Sequence, residues 1–223
     1  MLNSPVMTRL FLLATTGVVG AALAFPAASF ATQYEIGKAG ADAAPSCPNR
    51  PCLAVSRTTG YQAKVGDKRG LMTVPADGRI VAWRISLGKP GKKQTAFFDD
   101  KLGGESVAQI TVLRPGRKLR SRVMGQGEPQ KLTPYFGTTV EFPLEKTIPV
   151  KKGWIVALTV PTWAPALAVG LGADTSWRAS RGRGTCEDTQ GQTAQTQDQQ
   201  LAQYFCLYKT ARLTYSATLI STP

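Results

Sequence analysis

Residues 79–87, Arg-Ile-Val-Ala-Trp-Arg-Ile-Ser-Leu, hold the clearest strand signal in the chain. Successive side chains of a β-strand point to opposite faces, so Val81, Trp83 and Ile85 share one face of this segment. Their bulky apolar character predicts that this face lies in the core, while Ile80 lies on the other face. The segment therefore predicts a strand with one face buried.

Strand-like segments continue along the chain from Leu53 onward. Short runs rich in β-branched and aromatic residues alternate with Pro-Gly, Asp-Gly and Lys-Gly pairs, and no run keeps a helical spacing over several turns. Two corners, at 89–93 and 114–118, place Pro-Gly between cations, which is the composition of a type II turn. We predict an all-β fold, an antiparallel two-sheet β-sandwich that is jelly-roll-like and follows an N-terminal signal peptide.

The first residues have the order of parts of a secretory signal peptide. Arg9 supplies the positive charge, residues 10–25 form an apolar run, and Ser-Phe-Ala at 29–31 has small residues where a signal peptidase cuts. The run is shorter than a membrane span, although an uncleaved membrane anchor remains the alternative. We predict a signal peptide at 1–31, cleaved near Ala31, and a protein that is secreted or held at the cell surface.

The rest of the chain divides by composition. Residues 32–46 are rich in Ala, Gly and Asp and predict a flexible linker, and residues 47–223 predict a single β-sandwich domain. Within that domain, residues 186–206 form a Gln- and Thr-rich segment that is too polar to bury much surface, so we expect a solvated loop. No segment after the signal peptide has the length and apolarity of a membrane span.

The cysteines form an even set, which in an exported chain predicts disulfide bonds. Its members are Cys47, Cys52, Cys186 and Cys206. We favour the sequence-local pairing, Cys47 with Cys52 and Cys186 with Cys206, because each spacer makes a self-contained loop. The polar loop at 186–206 would then be closed by a disulfide. A four-thiolate zinc site is the alternative, and an oxidising compartment disfavours it.

The formal net charge of the chain is +13. Such a field favours anionic partners, among them wall polymers, lipopolysaccharide, acidic glycans and nucleic acid. Solubility of an extracellular protein explains the charge equally well. Export argues against a genomic target, so we expect no nucleic-acid partner.

Three stretches carry a resemblance to a known group of domains. They are the strand at 79–87, the strand at 109–114 and the run Thr-Ile-Pro-Val-Lys-Lys-Gly-Trp-Ile-Val-Ala-Leu at 147–158. Together they resemble secreted β-sandwich domains of uncharacterised actinobacterial cell-envelope proteins, over roughly residues 55–220. The resemblance implies export and a jelly-roll-like architecture, and it implies no particular activity.

The chain contains no histidine. This absence excludes Ser-His-Asp and Cys-His nucleophiles and every histidine-ligated metal site. No other catalytic motif is present in the sequence. We therefore predict no catalytic residue and a protein that acts without catalysis.

Asp99, Asp100 and Glu105 lie close together in sequence around two glycines, which indicate a loop. Two facing carboxylates are what a glycoside hydrolase requires, so a carbohydrate-active hydrolase is the alternative function. The same oxygen ligands are suited to a structural Ca²⁺, the one cofactor that the sequence suggests. Solvated turn acids are the simplest interpretation.

An aromatic and cationic cluster is the strongest binding signal. Trp177 is close in sequence to Arg178, Arg181 and Arg183, a combination that suits an anionic glycan or phosphate polymer. Trp163, in a proline-bounded corner, is expected to be exposed and to assist. The leading hypothesis is a secreted, non-catalytic module that binds an anionic envelope polymer or glycan, with a purely structural extracellular domain as a further alternative.

Overall fold

The structure, a computed structural model, describes residues 1, 31–39 and 43–222. The predicted signal peptide lies outside the described residues, except at its two ends. From Ala31–Pro223 the chain forms one compact unit. All secondary structure described below belongs to that unit.

The described elements follow one another in this order: β1 (Gln33–Ile36), β2 (Val55–Val65), β3 (Lys68–Arg69), β4 (Gly78–Ser86), α1 (Lys92–Leu102), β5 (Val107–Pro115), β6 (Arg120–Gln126), β7 (Gln130–Lys131), β8 (Thr139–Val150), β9 (Ile155–Ala164), β10 (Leu167–Val169), β11 (Ser176–Ala179), β12 (Leu201–Gln203), β13 (Cys206–Lys209), β14 (Ala211–Leu213) and β15 (Tyr215–Ser221). Short 3₁₀ turns lie at Arg117–Leu119 and Thr133–Tyr135.

The strands form a small sheet, a large sheet and a two-stranded ribbon. The small sheet has the order β1-β15-β4-β8, and the ribbon pairs β10 with β14. The large, nine-stranded sheet runs β12-β6-β5-β9-β2-β11-β13, with β3 beside β2 and β7 beside β5. Every described pairing is antiparallel. The predicted all-β, antiparallel class is confirmed, and the jelly-roll-like sandwich stays a prediction.

The small and large sheets share one hydrophobic core. Ile80 and Trp83 of β4 belong to the same buried cluster as Ile110 of β5 and Leu158 of β9. Apolar faces of two sheets are stable only when they are covered, and here each sheet covers the other. The apolar alternation in the sequence is therefore the cause of the architecture.

The face of β4 changes partway along the strand. The register of β4 with β15 slips between Ile80 and Ala82, which pair with consecutive residues of β15, so Val81 is a β-bulge. Trp83 and Ile85 are buried as predicted, but Ile80 is buried and Val81 is only half-buried. One extra residue reverses the alternation, so the prediction for Val81 and Ile80 was wrong.

A helix replaces the turn and loop predicted between β4 and β5. Helix α1 begins after Gly91, whose N–H donates to the Gln94 side chain at 2.7 Å. Phe98 and Leu102, one turn apart, are its buried residues and pack beside Trp163. The predicted type II corner at 89–93 was therefore wrong, because a helix with so few buried positions has too little apolar periodicity to be recognised.

The predicted linker and the predicted disulfides have different outcomes. Gln33–Ile36, inside the predicted linker at 32–46, forms β1 and pairs with β15, because Tyr34 and Ile36 provide an alternating apolar face. Both predicted disulfides, Cys47 with Cys52 and Cys186 with Cys206, are confirmed. Disulfide bonds indicate an oxidising compartment.

Gly78 begins β4 where this strand passes the backbone of β15. A Cβ atom at this position would overlap the carbonyl oxygen of Ile220, so alanine forces one of the two strands to move. Gly78→Ala should lower the free energy of unfolding by about 1–3 kcal/mol, measured from urea midpoints. Gly182→Ala is the control, because no atom lies within 4 Å of its Cβ position. Equal midpoints for the two variants would contradict this strand pairing.

Candidate functional site

Trp177 is buried. Only 5% of its surface is exposed, and its ring stacks on Tyr208 with 4.7 Å between the ring centroids. It lies on β11 between β2 and β13, so neighbouring strands flank it on both sides. Tyr208 occupies one face of the indole, and both rings line a cleft of about 380 Å³, so stacking of Trp177 on a ligand stays a prediction.

Arg181 braces neighbouring strands from the inside. It is 4% exposed, and its guanidinium donates to the Tyr208 hydroxyl at 2.8 Å and to the Ser56 carbonyl at 3.1 Å. These bonds tie the segment that follows β11 to β13 and to β2. Arg181 also lines the cleft beside Trp177, so its role in binding stays a prediction.

Arg178 and Arg183 reach the surface, but they do not form a cluster with Trp177. Arg178 is half-buried and donates to the carbonyls of Tyr204 and Phe205, at 3.1 Å each. Arg183 is exposed, and its guanidinium lies 4.8 Å from the centroid of the Phe205 ring. The structure thus separates the predicted binding residues into buried braces and one exposed cation.

Trp163 is completely buried, at 0% exposure, where exposure was predicted. Its indole N–H donates to a carboxylate oxygen of Asp99 and to the carbonyl of Gly104, both at 2.9 Å. Strand β9 continues through the proline-bounded corner and carries Trp163 against Phe98 of α1. Pro161 lies at an irregularity in the pairing of β9 with β2, where a central strand tolerates proline, and not in a surface loop.

The three candidate carboxylates have three different partners. Asp99 accepts from Trp163, Asp100 pairs with its neighbour Lys101, and Glu105 pairs with Lys131 at 2.9 Å. Asp99 and Asp100 lie on α1 and not in the predicted loop. In the part of the chain that the structure describes, no group of three His, Cys, Asp or Glu side chains is placed to hold a metal ion. The geometry therefore lends no support to the calcium hypothesis.

The polar segment, residues 186–206, was predicted to be solvated, and its middle is buried instead. Gln195 is 0% exposed. Its backbone N–H donates to the Thr59 hydroxyl at 2.9 Å, and its side-chain amide donates to the carbonyl of Gln200 at 2.8 Å and accepts from the Tyr204 hydroxyl. Buried polar groups must be paired, and this side chain is paired through both of its ends.

A row of hydroxyl groups on the large sheet receives the polar segment. Thr159 of β9 is hydrogen-bonded to Thr59 of β2 at 2.8 Å and to Thr111 of β5 at 2.7 Å. Leu158 lies in the main core, so the adjacent Thr159 lies on the opposite face of the sheet. The Gln126 amide bridges Thr111 and the Gln195 carbonyl.

The polar segment also joins the two edges of the large sheet. Strand β12 pairs with β6 at one edge, and β13 pairs with β11 at the other, with only Tyr204 and Phe205 between them in sequence. The sheet is therefore curled, and the segment lies on its concave side. Tyr204 fills this side with Leu113 and Val123, and burial raises the pKa of its phenol well above the usual value.

The curled sheet presents a strongly basic surface at the β5–β6 corner. Five cations line a cleft of about 600 Å³ there, together with Gly116 and Leu201. We call this the basic hairpin surface, and its cations are Arg114, Arg117, Lys118, Arg120 and Arg122. None of them forms an ion pair with any residue at 31–39 or 43–222.

The backbone of this corner has an unusual conformation. Lys118 and Leu119 have positive φ angles, 56° and 58°, which non-glycine residues rarely adopt. Gly116, at φ −132°, is extended, so the predicted type II turn was wrong although the corner does join two paired strands. Strain of this kind persists only where surrounding structure enforces it.

The polar segment provides that enforcement. The Tyr204 N–H donates to the Leu119 carbonyl at 2.8 Å, and the Gln203 side chain donates to the Lys118 carbonyl at 3.3 Å. The Arg122 guanidinium donates to the Gln199 carbonyl at 2.9 Å. Sequence reasoning treated this corner as a turn and overlooked its one available signal, a dense run of cations without an acid from 114 to 122.

Comparison of the chain with protein-family models, with curated proteins and with solved structures gave no match. No helix among the described residues is long and apolar enough to cross a membrane. Function must therefore be inferred from the chemistry of the surface, and the basic hairpin surface is its most distinctive part.

Gln195 should be essential for the position of the polar segment. Gln195→Leu leaves the Tyr204 hydroxyl and the Gln200 carbonyl without this partner, so we expect the free energy of unfolding to fall by about 1–3 kcal/mol. Gln197→Leu is the matched control, because Gln197 is exposed. Urea unfolding followed by tryptophan fluorescence gives both values. A control variant that is destabilised as much as Gln195→Leu would show that the buried hydrogen bonds are not the cause.

Proposed function

We propose that this protein is an exported, non-catalytic module that binds an anionic envelope polymer or glycan on the basic hairpin surface. The observation that supports this proposal is a set of five cations around one cleft, none of which forms an ion pair with a residue that the structure describes. Elsewhere in the described chain several cations are neutralised by a carboxylate, at Lys38, Arg84, Lys101 and Lys131. The corner is thus a local excess of positive charge.

The chemistry of these side chains fits an extended polyanion. Four of the five cations are arginines, which form paired hydrogen bonds with phosphate, sulfate and carboxylate groups. Their clustering on one hairpin adds their fields together, which raises the local concentration of anions. Because all but Arg122 are exposed, salt should weaken binding strongly.

The proposed compartment agrees with this ligand class. Two disulfides place the chain in an oxidising environment, and the predicted signal peptide would deliver it there. The resemblance to secreted β-sandwich domains of cell-envelope proteins points to the same location. Polymers at the cell envelope are then the most accessible anions.

The hydrolase alternative has weaker support. It requires two carboxylates facing each other across a groove. Asp99 is engaged by a buried indole, and Asp100 and Glu105 are each paired with a different lysine. Binding without catalysis is therefore the function that the geometry favours.

Removal of charge from the corner tests the proposal. The variant Arg117→Gln/Lys118→Gln/Arg120→Gln should bind inorganic polyphosphate and a sulfated glycan at least about tenfold more weakly, because each hydrogen bond to a charged group contributes about 1.5–3 kcal/mol. Isothermal titration calorimetry at fixed salt measures the dissociation constants. Glutamine keeps a polar, unbranched side chain without the charge, and it places no new constraint on the backbone of the corner.

The matched control removes the same charge elsewhere, with Lys68→Gln/Lys151→Gln/Lys152→Gln, at exposed positions. It should keep affinity within about twofold, since long-range charge is screened at physiological salt. Equal losses of affinity in the two variants would show that the anion is attracted by the net charge of the protein and not by this surface. Unchanged affinity in the corner variant would overturn the proposal and favour a purely structural domain.

A further inference from the structure

Two leucines accompany the cations of the basic hairpin surface. Leu119 is 43% exposed and Leu201 is 49% exposed. Single exposed leucines are ordinary on proteins. Here, however, Leu119 lies between Lys118 and Arg120 in the corner, and Leu201 lines the cleft itself. The surface is therefore both basic and apolar.

The structure holds Leu201 on the same face as the cations. Leu201 of β12 is directly opposite Arg122 of β6, and residues opposite each other in a sheet project to the same side. The next pair, Ala202 and Ser121, projects inward, and Ser121 is buried. The apolar side chain is therefore placed beside a cation by the strand register.

Leu119 is held by the corner itself. Its positive φ is a conformation that glycine or asparagine would adopt at lower cost. Its carbonyl accepts the Tyr204 N–H, which fixes the backbone at this point. A large apolar residue thus occupies an exposed, strained position where a small polar residue would fit more easily.

We propose that the basic hairpin surface also docks on anionic phospholipid bilayers. The cations would contact headgroup phosphates, and Leu119 and Leu201 would enter the boundary between headgroups and acyl chains. This inference rests on the proposed function, because it uses the same cations. A soluble polyanion offers phosphate but no apolar phase, so the leucines matter only for the bilayer.

Charge and apolar contact act together at such a boundary. Basic side chains are attracted to the negative surface potential of anionic lipid, and the attraction is lost on a neutral bilayer. Insertion of leucine adds a contribution that salt does not screen. The surface should therefore require anionic lipid and retain part of its binding as salt is raised.

The test compares two lipid compositions and two ligands. Wild-type protein should sediment with vesicles of phosphatidylglycerol and phosphatidylcholine and not with phosphatidylcholine alone. Leu119→Ser/Leu201→Ser should reduce partitioning by about tenfold. Leu119→Ser alone, at a leucine that does not line the cleft, should reduce partitioning in part and leave the affinity for inorganic polyphosphate unchanged. The control, Leu53→Ser/Leu207→Ser, removes two leucines of similar exposure outside this surface and should change neither.

A second variant tests whether substitution at these positions changes the conformation of the corner. Leu119→Met/Leu201→Met keeps apolar side chains and should partition as the wild type does. Partitioning of the methionine variant as weak as that of the double serine variant would overturn the inference, as would wild-type partitioning of the double serine variant. If the wild-type protein binds polyphosphate but does not sediment with anionic vesicles, the bilayer inference is overturned and the proposed function is not. Loss of polyphosphate binding in Leu119→Ser, with the methionine variant intact for both ligands, would contradict a role for this leucine that is limited to lipid.

Discussion

The hydrogen bonds of Gln195 are the constraint on which the large sheet depends. The concave side of that sheet presents threonine hydroxyls. A polar group that is buried without a hydrogen-bond partner lowers the free energy of unfolding by more than one ordinary hydrogen bond contributes to it. Gln195 and its backbone supply partners for Thr59, Tyr204 and the Gln200 carbonyl. A polar segment therefore covers the concave face of the sheet, which in most sheets is covered by apolar side chains. The sheet is curled because this segment joins its two edge strands.

That segment connects the interior to the surface that we propose to be functional. Strand β12 begins six residues after the buried Gln195 and pairs with β6, which places Leu201 beside Arg122. Tyr204, buried on the concave side, donates its N–H to Leu119 and so holds the strained corner. The hydrogen bonds of the polar segment thus fix the backbone of the basic hairpin surface. Its arginines are not needed to hold the corner in place by ion pairs within the described chain.

Local patterns predicted the parts of the fold that depend on local chemistry. Alternation in β4 predicted the strand and the burial of Trp83, and sequence separation predicted both disulfides. The stacking of Trp177 on Tyr208 and the burial of the polar segment were missed for one reason: their partners are distant in sequence. An indole beside arginines has the same composition whether it stacks on Tyr208 or on a ligand, and a glutamine-rich segment is buried only where another strand offers hydroxyl groups.

Native-state hydrogen exchange at the amides of Gln195 and Tyr204 tests the central claim most directly, because both donate backbone hydrogen bonds inside the curl. Each should exchange as slowly as amides of β9, at the centre of the large sheet, and the two should open together with the sheet. Exchange at the rate of an unstructured chain, with β9 still protected, would show that the segment is a solvated loop and would remove the support of the basic hairpin surface.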